Sequence, residues 1–180
     1  MSLTPFFYVE KYSHKRNKWE LIAPYIWNYN HTKMIPAALF PYNGCHDLFA
    51  ALDHDRNGFA DYPVDGVHNW RPDDMSEELQ KEIDKFEQDD PLDGAKYHAP
   101  IKWVTYADLY INVLQHPEVK NKDYDYWEDE EEDDDSLPPK MEPNPVTSLL
   151  SRVDAFLSVA EEDWDLAENR SLIRIVFWIV

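Results

Sequence analysis

The sequence predicts an α+β protein whose antiparallel sheet is built from both ends of the chain. Near the N-terminus, two extended runs, 6–12 and 19–22, flank a polar segment, which is typical of a β-hairpin. At the other end, the run 172–180 is apolar on both alternating faces except at Arg174, as in a central strand with both faces covered. We therefore expect one α+β domain over residues 1–180, with helices packed mainly on one face of the sheet.

Two helices are predicted in the first half of the chain. Residues from about 45 to 53 follow Asn43, which is a favourable N-cap. Ser76 is a good N-cap for the second helix, and the acidic residues that follow it suit the positive end of a helix dipole. Leu79, Ile83 and Phe86 give this helix a narrow apolar stripe, so we expect it on the protein surface.

Two further helices are predicted in the second half, after an extended segment at 99–104. Thr105 is the expected N-cap of the third helix, and Asp108 completes a shortened capping box. The fourth helix should start at Asn144 as its N-cap, with Pro145 at the first helical position. A backbone N–H at that position has no partner within the helix, so its absence from proline costs nothing. The residues expected to face inward are Leu109, Val113 and Leu114 from the third helix, and Val146, Leu149, Leu150, Val153, Phe156, Leu157 and Ala160 from the fourth.

An acidic run separates the third predicted helix from the fourth. Residues 123–135 contain ten Asp and Glu residues, with Tyr124, Tyr126 and Trp127 near their start. Because like charges repel and few apolar residues are available to bury, we expect a flexible acidic insert at about 120–143. Two interpretations remain open for this insert. It is either a solubilising linker, or an interaction segment that attracts a basic partner.

The composition limits the kinds of partner and the compartment. The net charge of -19 disfavours direct binding to nucleic acid and to anionic membranes, since both need clustered Lys and Arg. A basic protein is the partner that this charge favours. Cys45 is the sole cysteine, which fits a reducing compartment without disulfides. The N-terminus lacks signal-peptide features and the apolar run 175–180 is too short to span a bilayer, so we expect a cytoplasmic protein.

The segment 53–61 partly matches a calcium-binding loop. Asp, Asp, Asn, Gly and Asp occupy positions one, three, five, six and nine, as oxygen ligands and a sharp turn require. Position twelve is Val64 instead of a bidentate Glu, and Pro63 prevents a helix from leaving the loop directly. We therefore interpret the segment as a helix end followed by a polar turn, and expect no metal. The ligands to test first, if a metal bound here, are Asp53, Asp55, Asn57 and Asp61, with His54 nearby.

No other pattern indicates a catalytic or cofactor-binding site. Cys45, His46 and Asp47 include the residue types of a nucleophilic relay, but neighbouring residues on a helix point in different directions. The seven histidines show no short ligand spacing, and His98 precedes a predicted strand, where packing is its expected role. We predict no catalytic, cofactor-binding or metal-binding residue.

Several short motifs, in a particular order along the chain, resemble those of a known family. They occupy residues 42–52, 55–58, 71–76, 98–109 and 174–178. In these segments the chain is similar to a family of small, uncharacterised proteins encoded by bacteria and their phages. The resemblance implies no site residue, and it implies that Asp55, Arg56 and Asn57 form a structural turn.

Taken together, the sequence predicts a non-enzymatic accessory or protein-interaction protein of phage or mobile-element type. A metal-assisted hydrolase is the alternative, because Asp, Glu and His are abundant and a divalent ion activates water without a protein nucleophile. A further alternative is an acidic mimic of nucleic acid that inhibits a DNA-binding protein. Such a mimic needs carboxylates arrayed over a folded face.

Overall fold

A computed structural model describes residues 5–22, 25–27, 34–36, 46–52, 62–88, 101–120, 141–160 and 169–179. The strands are β1 (Pro5–Ser13), β2 (Lys18–Ile22), β3 (Tyr25–Trp27), β4 (Met34–Pro36), β5 (Lys102–Thr105), β6 (Glu118–Lys120), β7 (Met141–Pro143) and β8 (Ile173–Ile179). The helices are α1 (His46–Leu52), α2 (Glu77–Gln88), α3 (Tyr106–Gln115) and α4 (Val146–Ala160), with a 3₁₀ turn at Arg170–Leu172. None of these helices has the length and apolar character needed to cross a membrane.

The main sheet has four antiparallel strands in the order β2-β1-β8-β5. The predicted N-terminal hairpin is confirmed, and it pairs with the C-terminal strand as expected. β8 is central, since β1 lies on one side of it and β5 on the other. The pairs β3-β4 and β6-β7 form separate two-stranded sheets.

The helices pack mainly on one face of this sheet, as predicted. Alternate residues of β8 point to opposite faces, as a strand requires. Ile173, Ile175 and Phe177 share a buried cluster with the apolar residues of α1, α3 and α4. Val176 and Trp178 point to the other face, where they pack with Leu79 and Ile83 of α2. β8 is therefore covered on both sides, which explains its nearly continuous apolar sequence.

The caps predicted for α2, α3 and α4 are confirmed. The Ser76 hydroxyl accepts a hydrogen bond from the Leu79 N–H at 3.4 Å. The Thr105 hydroxyl accepts one from the Asp108 N–H at 3.0 Å. Asn144 Oδ1 accepts one from the Val146 N–H at 2.9 Å. Each cap satisfies a donor that the first helical turn leaves without an intrahelical partner.

One prediction for α3 is wrong. The sequence predicts that Leu114 faces inward, but 63% of its surface is exposed, whereas only 4% of the surface of Asn112 is exposed. The reason lies in helix geometry, because a residue three positions after the buried Leu109 shares its face and one five positions after does not. Asn112 occupies the inward position because its amide is hydrogen-bonded.

A buried asparagine network joins α3 to α4 beside the β6-β7 pair. Asn144 Nδ2 donates to Asn112 Oδ1 at 3.0 Å and to the His116 carbonyl at 2.8 Å. Asn112 Nδ2 donates in turn to the carbonyls of Tyr62 and Pro63, each at 3.2 Å. The network therefore fixes the end of one helix and the start of the next, on either side of residues 121–140. The predicted acidic run itself lies outside the described residues.

Gly66 has a backbone conformation and a contact that both require glycine. Its φ is +84°, and a Cβ atom built on it would lie 2.8 Å from the Asp108 carboxylate. We expect Gly66→Ala to lower the free energy of unfolding by about 2 kcal/mol. Alanine is strained in the left-handed conformation, and its Cβ would displace the Asp108 carboxylate at the start of α3. Urea denaturation measures the loss. The exposed neighbour Asp65→Ala is the control, and equal stability of the two variants would contradict the prediction.

Candidate functional site

Arg174 is the single charged residue of the central strand, and its guanidinium is buried. Its side chain is 2% exposed, and Glu10, its register partner on β1, is 0% exposed. Arg174 Nε donates to Glu10 Oε2 at 2.7 Å. The other oxygen, Glu10 Oε1, accepts a hydrogen bond from the Ser76 N–H at 2.8 Å. Both charges are thus compensated inside the protein, and the pair ties the sheet to the start of α2.

Asp74 binds the outer side of the same guanidinium. Arg174 Nη1 donates to Asp74 Oδ1 at 2.7 Å, and Nη2 donates to the Asp74 carbonyl at 3.3 Å. The Trp19 indole N–H donates to Asp74 Oδ2 at 2.9 Å. Partial burial raises the pKa of Asp74, but the hydrogen bonds and the charge of Arg174, together with Trp19, lower this pKa overall. The Asp74 side chain is nevertheless 67% exposed, so a carboxylate lies at the surface here.

Four aromatic rings are linked to this cluster, two of them directly and two through Trp103. The Arg174 guanidinium carbon is 4.0 Å from the centre of the Trp19 ring and 5.7 Å from that of Trp103. The His68 ring stacks on Trp103 with centroids 3.9 Å apart, and Trp70 contacts His68 edge-on at 4.7 Å. Trp70 is 59% exposed. We call Trp19, His68, Trp70, Trp103 and Asp74 the tryptophan surface.

Backbone pairing holds the tryptophan surface in place. The His68 N–H donates to the Trp103 carbonyl at 2.8 Å, and the Trp103 N–H donates to the His68 carbonyl at 3.1 Å. This bridge attaches the segment that carries Trp70 to the outer edge of β5. The backbone two positions before Trp70 is therefore fixed to the edge strand β5.

The chain around Trp70 is acidic. Residues 65–78 contain five Asp and Glu residues and one basic residue, Arg71. Arg71 pairs with Asp84 at 3.2 Å, and Asp73 is exposed close to Trp70 in sequence. This segment thus combines an exposed aromatic side chain with an excess of negative charge. This combination attracts cations, since the face of an indole ring carries negative charge density.

A second polar cluster links α3, α4 and the 3₁₀ turn. The Tyr106 hydroxyl donates to Asp154 Oδ1 at 2.7 Å. Burial raises the pKa of Asp154, against the opposing effects of the Tyr106 hydrogen bond and the Arg170 charge. Arg170 stacks on the Tyr110 ring at 3.7 Å. We interpret these contacts as packing interactions between helices, because the hydroxyl joins two facing helices and the guanidinium covers a ring.

The site residues considered from the sequence fall mostly outside the described residues. This holds for Cys45, for the whole segment 53–61 and for His98. His46 and Asp47 lie in α1, and nothing is described of their side chains. Among the described residues, no three His, Cys, Asp or Glu side chains group as a metal site. The interpretation of 53–61 as a structural turn without metal therefore stays a prediction.

The sequence did not predict the tryptophan surface. Arg174 stood out as the exception in an apolar strand, and a buried arginine must find acidic partners. Its partners Glu10 and Asp74 lie 164 and 100 positions away. No pattern in the sequence indicates that Arg174 contacts Glu10 or Asp74.

Comparison with known proteins adds no identification. No family model, curated protein or solved structure matches this chain. The resemblance to bacterial and phage-encoded proteins therefore stays a prediction from the motifs.

Proposed function

We propose that this protein is a non-enzymatic accessory protein that binds a basic protein partner through the tryptophan surface. The observation that carries the proposal is Trp70, which is 59% exposed and lies two positions after His68, the residue whose backbone pairs with the edge strand β5. Large aromatic side chains on rigid surfaces are favoured centres of protein interfaces. A phage or mobile-element origin, suggested by the resemblance, is compatible with such a role.

Charge supports a basic partner in particular. The net charge of -19 attracts cationic proteins over a distance and raises their association rate. Near the surface itself, the exposed carboxylates of Asp73 and Asp74 stand close to Trp70 in the chain. A lysine or arginine that reaches Trp70 therefore gains both an aromatic face and an opposite charge.

The buried ion pair supports a structural role for the polar groups beneath this surface. Both oxygens of Glu10 and three nitrogens of Arg174 are engaged in hydrogen bonds within the protein. A general base or a nucleophile needs a group that reaches the substrate. We accordingly assign these two residues to the framework that supports the surface.

Binding to a defined basic probe tests the proposal. The probe is a decapeptide of alternating arginine and glycine, with an alternating glutamate and glycine decapeptide as the negative control. We expect calorimetry at physiological salt to show about tenfold weaker binding for Trp70→Ala than for the unaltered protein. Leu114→Ala removes an equally exposed apolar side chain from α3 and should bind normally. Equal affinity of the two variants would overturn the proposal.

Two further variants separate the proposal from its alternatives. Deleting residues 123–135 should leave the effect of Trp70→Ala intact, whereas a complete loss of binding would assign the affinity to the acidic run. Thermal shift with calcium, magnesium, manganese and zinc tests the hydrolase alternative, since a specific ligand stabilises the folded state by mass action. A saturable stabilisation that Asp53→Ala abolishes would favour the enzyme.

A further inference from the structure

We infer that the tryptophan surface selects arginine over lysine, binding a partner's guanidinium group against the Trp70 ring beside the exposed Asp73 carboxylate. The inference rests on the proposed function and specifies the side chain that this surface recognises. It follows from how the protein binds its own arginines.

Arg174 shows the arrangement that the inference extends to a partner. Its guanidinium lies 4.0 Å from the Trp19 ring centre, while Asp74 accepts hydrogen bonds from its edge. The Trp19 indole N–H holds the same carboxylate at 2.9 Å. One tryptophan thus binds the face of a planar cation, while two carboxylates, Asp74 and the buried Glu10, bind its edge. Trp70 and the exposed Asp73 offer a second ring and a second carboxylate three positions apart in the chain.

Chemistry favours arginine for this geometry. The guanidinium group is planar and weakly hydrated, so it stacks on a ring while its N–H groups donate to a carboxylate. The ammonium group of lysine is compact and strongly hydrated, and it gains less from an aromatic face that water also reaches. Arg170 stacks on Tyr110 at 3.7 Å elsewhere in this protein, again with its guanidinium over a ring.

The exposure of the four rings identifies Trp70 as the ring that receives the partner. Trp19 already contacts Arg174, and Trp103 is covered by His68 at 3.9 Å. Trp70 contacts His68 at an interplanar angle of 64°, and more than half of its surface is open to solvent. Arg71, the nearest basic side chain in the sequence, is bound to Asp84.

Three decapeptides that differ only in the alternating side chain test the inference. They carry arginine, lysine or citrulline alternating with glycine, and each is titrated into the full-length protein by calorimetry at physiological salt. We expect the arginine peptide to bind about fivefold more tightly than the lysine peptide. Citrulline keeps the planar shape but not the charge, so its peptide should bind weakest. In Trp70→Ala the preference for arginine over lysine should fall to about one.

The outcomes separate this inference from the proposed function. Equal binding of the arginine and lysine peptides, weakened alike by Trp70→Ala, would overturn the selectivity and leave the proposed function standing. Failure of both peptides to depend on Trp70 would overturn the proposed function and the inference together. The inference would also be overturned if the preference for arginine survived in Trp70→Ala but was lost in Trp19→Ala. That result would show that the partner's guanidinium binds the Trp19 ring and not the Trp70 ring.

Discussion

Replacing Glu10 by glutamine should lower the free energy of unfolding by about 3–5 kcal/mol. The substitution removes the negative charge opposite Arg174, whose side chain is only 2% exposed. A buried guanidinium then keeps one ionic partner, Asp74 at the surface, and the lost attraction no longer offsets its desolvation. Urea denaturation followed by circular dichroism measures the loss. Glutamine is close in size to glutamate, so the effect reports on charge and not on a cavity.

Asp74→Asn is the matched control at the exposed end of the same guanidinium. Because the Asp74 side chain is 67% exposed, its loss should cost less than about 1 kcal/mol. The folded pKa of Asp74 lies below the ordinary value of 3.8. The ionised Asp74 carboxylate therefore stabilises the folded state fully above pH 3.8, and this stabilisation is lost as the pH falls through the folded pKa. Asp74→Asn should remove this acid dependence.

A double variant distinguishes charge pairing from packing. Replacing Glu10 and Arg174 together by methionine removes both buried charges and retains apolar volume. We expect this variant to be more stable than Glu10→Gln, because no unpaired charge remains inside. If Glu10→Gln lowered the free energy of unfolding no more than Asp74→Asn, the buried ion pair of Glu10 and Arg174 would not stabilise the fold as we expect.

Replacing Asn144 by alanine should lower the free energy of unfolding by about 2–4 kcal/mol. The variant loses the cap on Val146 and two donors, and it leaves Asn112 Oδ1 and the His116 carbonyl without this partner. Asn144 is 1% exposed, so water does not readily replace the lost hydrogen bonds. Thermal and urea denaturation measure the change.

Ser151→Ala provides the control for the asparagine network. Ser151 is exposed on the same helix, and its hydroxyl donates to the Thr147 carbonyl at 2.9 Å. Its replacement should alter stability by less than about 0.5 kcal/mol. The asparagine network would be unnecessary for folding if Asn144→Ala matched this control.

Much of the fold could be predicted because its signals are local or periodic. The hairpin needed two extended runs around a polar turn, and the caps of α2, α3 and α4 needed residues within three positions of one another. Leu114 shows the limit of that approach. The helical pattern predicts that this leucine faces inward, but Asn112 occupies the buried position because its hydrogen-bond partners Asn144 and Tyr62 come from distant segments.

The sequence by itself determined that the last strand is central and that the two ends of the chain form the sheet. Those conclusions follow from the apolar content of each strand and from the alternation of its side chains between two faces, which can be read from the sequence of that strand by itself. Only the tertiary structure decided that β5 lies beside β8, and that Arg174 meets both Glu10 and Asp74. It also brought His68 and Trp70 to the outer edge of β5. These contacts depend on strand register and chain crossing, because the pairing of distant segments fixes which side chains become neighbours.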